Sequence, residues 1–239
     1  ERKSMPSTHA FFIAGTDTGV GKTFVTTLLL RAARLGGYRT LGMKPVAAGV
    51  DAHGRNDDVE ALMAASNCSV SRSDVNPFLY RAAVSPHIAA RDEGRPIDLG
   101  VIVAAQKRLA AQAEILLVEG VGGFRAPLSE CIDSADLACA LQLPVVLVVG
   151  LRLGCLSHAL LTAEAIAARG LTLAGWVANH MDPGMACPAD NVQYLQTHLQ
   201  QVFACPFLGQ VPCIDATDAS HADRLDAVAQ SLHLPWPRA

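Results

Sequence analysis

The run Gly15-Thr16-Asp17-Thr18-Gly19-Val20-Gly21-Lys22-Thr23 combines the residue types that hold a phosphate chain. Polyphosphate binding needs backbone N–H donors that approach closely, glycines that permit the approach, and a lysine that reaches the terminal phosphates. The Thr23 hydroxyl then meets a magnesium ion. Five residues separate Gly15 from Gly21, one more than in the common pattern, so this loop is a variant. Two further charged residues stand at places where a strand should end. Pro45 removes a backbone donor and biases Lys44 towards extended structure, which puts Lys44 at a strand's carboxyl end, either on a ligand or in solvent. Glu119 closes the apolar run Ile115–Val118 and precedes Gly120, Gly122 and Gly123, the position at which nucleoside-triphosphate hydrolases place a magnesium-holding acid. Asp57, Asp58 and Glu60 form an acidic first helical turn. They either complement the helix dipole or lend one carboxylate to a metal at the phosphate loop.

These residues need elements to position them. The run Ala10–Ala14 predicts a strand before the phosphate loop, and Phe24–Leu35 a helix after it, stopped by Gly36-Gly37. Residues 39–44 read as strand, 46–56 as loop, and Asp57–Leu62 as a helix start. Asn76-Pro77-Phe78 and Ser85-Pro86-His87 read as turn or helix-entry signals, with His87 a capped or surface histidine. Helices follow over Ile88–Asp92 and Leu99–Ala113, then the strand ending at Glu119. Asp133–Leu141 reads as helix, Val145–Val149 as a strand closed by Gly150, Leu156–Arg169 as helix and Leu173–Ala178 as a strand ending in Asn179-His180. Asp190–Gln201 reads as helix, Phe207–Val211 as strand and Ala222–Leu232 as a closing helix. Apolar runs without alternation mark strands covered on both faces. The expected fold is therefore α/β: a mostly parallel sheet with helices on both faces, a three-layer α/β/α arrangement like that of P-loop nucleotide hydrolases, with ligands at the strands' carboxyl edge.

Composition agrees with one such domain over residues 1–239, with 1–9 expected to be a flexible lead-in. Apolar residues make up 51% and aromatic residues only 5%, so the core must be built from Ala, Leu and Val. A net charge of −3, without a lysine or arginine run, argues against nucleic acid or an anionic membrane as partner. Seven cysteines form no Cys-x-x-Cys pair and no zinc-like cluster. They read as reduced thiols in a cytoplasmic protein, and neither a signal peptide nor a membrane span is expected.

Taken together, Gly15–Thr23, Lys44-Pro45-Val46-Ala47, Val118-Glu119-Gly120-Val121-Gly122-Gly123, Gly154-Cys155 and Ala174-Gly175-Trp176-Val177-Ala178-Asn179 closely resemble the dethiobiotin synthetase family, from about residue 10 to about residue 215. The widened phosphate loop is that family's own spacing. The resemblance implies an ATP- and Mg²⁺-dependent ring closure in which 7,8-diaminononanoate and carbon dioxide become dethiobiotin, ADP and phosphate, a step of biotin synthesis. It implies that Lys22 neutralises the β- and γ-phosphates and that Thr23, Asp58 and Glu119 hold magnesium. Lys44 is implied to lie between carbamate and γ-phosphate. By the same resemblance Gly19, Val20, Gly21 and Phe24 would wrap the phosphates, while Gly120, Val121 and Gly122 would bring backbone against nucleotide and substrate. Asn179 resembles the family's adenine-reading asparagine, with His180 beside it, and Pro212, Cys213 and Ile214 would close over the base. Gly154, Cys155, Leu156 and Ser157 would complete the substrate site of a second subunit, which implies a homodimer.

Two positions depart from the family pattern. Many relatives carry serine where this chain has Ala48, which removes a hydroxyl from the substrate site, and some carry an acid in place of Gly19. A switch ATPase of the partition or septum-placement kind is the nearest competing class. Such proteins carry a second lysine early in the loop, where this chain has Gly15 to Thr18, and the membrane-binding ones add a basic C-terminal helix. The tail from His221 has little basic charge. A glutamine-fed amide ligase shares the core but needs an additional amidotransferase domain.

Overall fold

A computed structural model describes residues 8–214 and 221–236. In chain order the elements are β1 (His9–Gly15), α1 (Lys22–Leu35), β2 (Thr40–Met43), β3 (Val46–Ala48), α2 (Asp57–Ala65), α3 (Arg72–Val75), β4 (Phe78–Tyr80), α4 (Pro86–Asp92) and α5 (Leu99–Ala110). They continue with β5 (Ile115–Glu119), α6 (Ser134–Leu141), β6 (Val145–Leu151), α7 (Cys155–Ala168), β7 (Leu173–His180), α8 (Pro188–Phe203), β8 (Phe207–Val211) and α9 (His221–Ser231).

The main sheet has the order β2-β5-β1-β6-β7-β8, and every pairing is parallel. Its apolar strands divide between two cores because side chains alternate faces. Phe12, Leu116, Val118, Leu147 and Val149 join one core, covered by Ile102 and Leu109 of α5, Leu137 of α6, Ile166 of α7 and Leu195 of α8. Phe11, Ile13, Leu117, Val146 and Val148 join the other, beneath Val25, Leu28 and Leu29 of α1 and Ala229 of α9. This is the three-layer α/β/α sandwich that uninterrupted apolar strands require. Since all strands run the same way, their carboxyl ends share one edge, and in sheet order that edge carries Lys44, Glu119, the phosphate loop, Gly150, Asn179 and Val211.

The structure departs from the sequence reading at residues 46–48 and adds detail at two other places. Residues 46–48, read as loop, form β3, which pairs in parallel with β4 through Val46↔Phe78, Ala47↔Leu79 and Ala48↔Tyr80 as a separate two-stranded sheet. Neither segment is long enough to display a period, and only their mutual pairing makes them strands. The short helix α3 was not anticipated. Residues 1–7 lie outside the described residues, but Thr8 and His9 are fixed: the Thr8 hydroxyl donates to the carbonyls of Ala110 and Ala113 at 2.7 and 2.9 Å, and His9 opens β1.

Candidate active site

Helix α1 starts without a side-chain cap, from Gly21 at φ 81°. Its first-turn N–H groups thus have no side-chain cap, the arrangement by which a helix start can receive an anion on its backbone. Gly21 has a second reason to be glycine, since a Cβ there would stand 2.1 Å from Nδ2 of Asn179. Lys22 folds back over the loop and its Nζ donates to the carbonyl of Asp17 at 3.2 Å. Its pKa falls to about 8, chiefly because burial disfavours the ammonium and secondly because Lys44 stands near.

Neither Lys44 nor Glu119 is the solvated residue a strand end could have carried: they are 3% and 0% exposed. The Lys44 ammonium donates to Oε1 of Glu119 at 2.5 Å and to Oδ2 of Asp58 at 2.8 Å, with the carbonyl of Gly120 at 3.4 Å. The Thr23 hydroxyl donates to the same Glu119 oxygen at 2.7 Å. The second oxygen, Glu119 Oε2, is buried and has no partner. Burial is the largest influence on Lys44 and favours its neutral form, but Glu119 and Asp58 together outweigh it and raise the pKa above the ordinary lysine value. Asp58 shows the mirror effect: burial favours its neutral form, and Lys44 nevertheless holds its carboxyl below the usual range.

Asp58 reaches this cluster from the first turn of α2, whose N-cap Asn56 accepts from the N–H of Val59 and donates through Nδ2 to the carbonyl of Gly49 at 2.8 Å. The cluster opens into a cavity of about 740 Å³. Gly19, Gly21, Lys22, Thr23, Lys44, Ala48, Asp58, Glu119, Val121 and Gly122 all line it. So do Thr18, Asn56, Ala83, Val84, Ser85 and Pro86, which sequence reasoning did not assign. Ser85-Pro86 reads in the sequence as a turn or helix-entry signal, and Pro86 opens α4. That it lines the same cavity as Ala48 depends on the β3–β4 pairing, which no local pattern announces.

A curated relative, the ATP-dependent dethiobiotin synthetase BioD of Aromatoleum aromaticum, is 50% identical over 234 residues, covering 97% of this chain and 100% of the relative. The chain belongs to the dethiobiotin synthetase family. A family model described as an AAA domain matches residues 9–221. Among solved structures, the septum site-determining protein MinD complexed with Mg-ADP from Pyrococcus horikoshii aligns with a TM-score of 0.54 at 15% identity, over 93% of this chain and 94% of that one. A ParA family ATPase from Chlorobium tepidum aligns at 0.50 and 12%, over 94% and 90%. At such identities these share the fold, and the choice between switch ATPase and synthetase rests on the curated relative.

The other residues that the resemblance singles out lie elsewhere in the fold. Asn179 is buried at the tip of β7, donating through Nδ2 to the carbonyl of Val20 at 2.9 Å, so it holds the back of the phosphate loop. Beside it, His180 Nε2 pairs with Gln210 Oε1 at 2.8 Å, and the Cys213 thiol donates to the His180 carbonyl at 2.9 Å, which gathers His180 and Pro212 to Ile214 at neighbouring strand tips. Phe24 packs from α1 onto the core beneath the loop. Gly154, Cys155, Leu156 and Ser157 do not line the cavity of their own chain. Gly154, at φ 94°, caps α7; Cys155 is buried in the core and Ser157 is exposed.

Proposed function

We propose that this chain closes the cyclic urea of dethiobiotin from 7,8-diaminononanoate, carbon dioxide and ATP, releasing ADP and phosphate. The observation that carries the reading is the enclosed Lys44 ammonium, held between two carboxylates on the wall shared by the phosphate loop and the cavity. One substrate amine attacks carbon dioxide and loses a proton to give a carbamate. The carbamate oxygen takes the γ-phosphoryl group, and the second amine displaces phosphate to close the ring. Negative charge gathers between carbamate and phosphate at each stage, and a fixed cation in a desolvated wall stabilises it without reorganising. Lys44 and Lys22 supply that charge; the α1 amides and Gly19 to Gly21 hold the phosphates. Asn179, His180 and Pro212 to Ile214 form the adenine side.

The donor set also suits magnesium. Two carboxylates and a hydroxyl are too few for an all-protein site, and among the described residues no three His, Cys, Asp or Glu side chains gather into one. They suit an ion that takes its remaining ligands from phosphate and water, and the unpartnered Glu119 Oε2 is a ready oxygen. Thr23, Asp58 and Glu119 are its proposed ligands, and such an ion supplies charge neutralisation across the β- and γ-phosphates.

A homodimer accounts for Gly154–Ser157 lying away from their own cavity, since they can serve a neighbour's. Leu153 and Leu161 beside them, 98% and 60% exposed, are apolar surface for such a contact. The free cysteines suit a reducing, cytoplasmic setting, and among the described residues no helix is long and apolar enough to cross a membrane. Incubation with the diamine, bicarbonate, ATP and Mg²⁺, followed by mass spectrometry, tests the reading. Dethiobiotin with stoichiometric ADP is expected; ATP hydrolysis without it overturns the assignment.

A further inference from the structure

Asp17 sets a physical problem. It is an acid inside a loop proposed to bind a highly charged anion. Its carboxylate lies near enough to the Lys22 ammonium to act on that residue's charge. Left alone, it opposes the phosphates.

The structure resolves this with Arg152, which follows the last residue of β6. Arg152 Nη2 donates to Oδ2 of Asp17 at 2.6 Å. The other carboxylate oxygen, Oδ1, accepts from the N–H of Thr18 at 2.7 Å, and the Asp17 carbonyl accepts from Lys22 Nζ at 3.2 Å. One residue of the loop thus fixes an amide and an ammonium of the same loop while its carboxylate is held by Arg152. The tip of β6 is built against the loop in a second place: a Cβ on Gly150 would come within 3.0 Å of Val20. On the opposite flank Gly123 packs on Asp17, where a Cβ would stand 3.6 Å from its Cα.

We propose that Arg152 is a positioning residue for nucleotide binding: it cancels the charge of Asp17 and sets the orientation in which Thr18 and Lys22 meet the phosphates. This rests on reading the cavity as the nucleotide site. Both side chains are 44% exposed, so the pair adds little to global stability. Its effect belongs to the local field and geometry, which separates it from a purely structural contact. The same segment runs on into Gly154–Ser157, so the ion pair also ties the phosphate loop to the loop proposed to serve the neighbouring subunit.

The test compares wild type, Arg152→Ala, Arg152→Lys, Asp17→Asn and the double variant Arg152→Ala/Asp17→Asn. ATP binding is followed by calorimetry, turnover by KM and kcat, and folding by thermal denaturation. Measurable binding by wild type tests the site itself, independently of Arg152. For Arg152→Ala the expectation is a roughly tenfold weaker ATP Kd and a matching rise in KM, kcat within about twofold, and an unchanged melting temperature. Arg152→Lys keeps the charge and recovers part of the loss. The double variant binds ATP more tightly than Arg152→Ala, because the stranded anion is gone. An unchanged Kd in Arg152→Ala, or a double variant no better than the single one, overturns the proposal.

Discussion

Lys44 Nζ and Glu119 Oε1 lie 2.5 Å apart at the ends of neighbouring parallel strands, both shut away from water. Such a pair is costly to desolvate, and removing one member strands the other as an uncompensated charge. Stability and chemistry are therefore both written into this contact. They separate on mutation.

Lys44→Ala is expected to lower turnover roughly 10²–10³-fold, as loss of a donor aimed at developing charge does, while ATP still binds through the phosphate loop. It also leaves Glu119 and Asp58 facing each other, at a cost of about 3–5 kcal/mol in folding stability. The double variant Lys44→Ala/Glu119→Gln removes the stranded charge. Its melting temperature should recover towards wild type and its turnover should not. Parallel recovery of both would mean that Lys44 acts only through the fold.

Glu119→Gln keeps shape and hydrogen bonding but halves the carboxylate charge available to a divalent ion. The magnesium concentration giving half-maximal turnover should rise at least tenfold at fixed ATP, since one of the two proposed anionic ligands is gone. A titration curve that overlays wild type removes Glu119 from the metal site.

How much of this was legible in the chain follows from the range of each signal. The phosphate loop is local: glycine, lysine and hydroxyl sit within one turn, so spacing alone revealed it. The main strands were legible because burial on both faces abolishes alternation and leaves runs such as Val145–Val149. The burial of Lys44 was not, because a lysine before a proline reads the same in water or in a wall, and only the pairing of β2 with β5 and the approach of α2 decide it. β3 and β4 were invisible for the same reason: their partners are some thirty residues away in the chain and carry no periodicity of their own. The solved structures that share this fold could not name the chemistry, whereas the residues around Lys44, Glu119 and Asn179 did resemble the family that the curated relative then showed.

Lys22 gives a pH signature. Its folded pKa of about 8 lies below the ordinary 10.5, so between those values the unfolded chain holds more protons than the folded one. Stability from this group therefore rises with pH across that window, and below about 8 its full burial penalty is felt. Lys44, with its pKa raised, runs the other way, and its contribution is lost only as pH climbs through its folded value, above 10.5. Phosphates at the loop favour the charged form of Lys22, so ATP binding should take up a proton above about pH 8 and almost none at pH 7. Calorimetry in two buffers of different ionisation enthalpy measures that uptake directly. No uptake at pH 8.5 would place Lys22 away from the phosphates.

Ala48 departs from the family pattern at a position proposed to meet substrate. It lines the cavity at the end of β3, half-buried, with its other side packed against the core. A serine there adds a hydroxyl at the cavity wall, and a hydrogen bond to an uncharged partner contributes about 0.5–1.5 kcal/mol. Ala48→Ser should accordingly lower the KM for the diamine roughly two- to tenfold, with kcat and the KM for ATP unchanged, because the gain falls on substrate binding alone. Steady-state kinetics with the diamine as the varied substrate reads this out. A KM for the diamine that stays put removes position 48 from the substrate site.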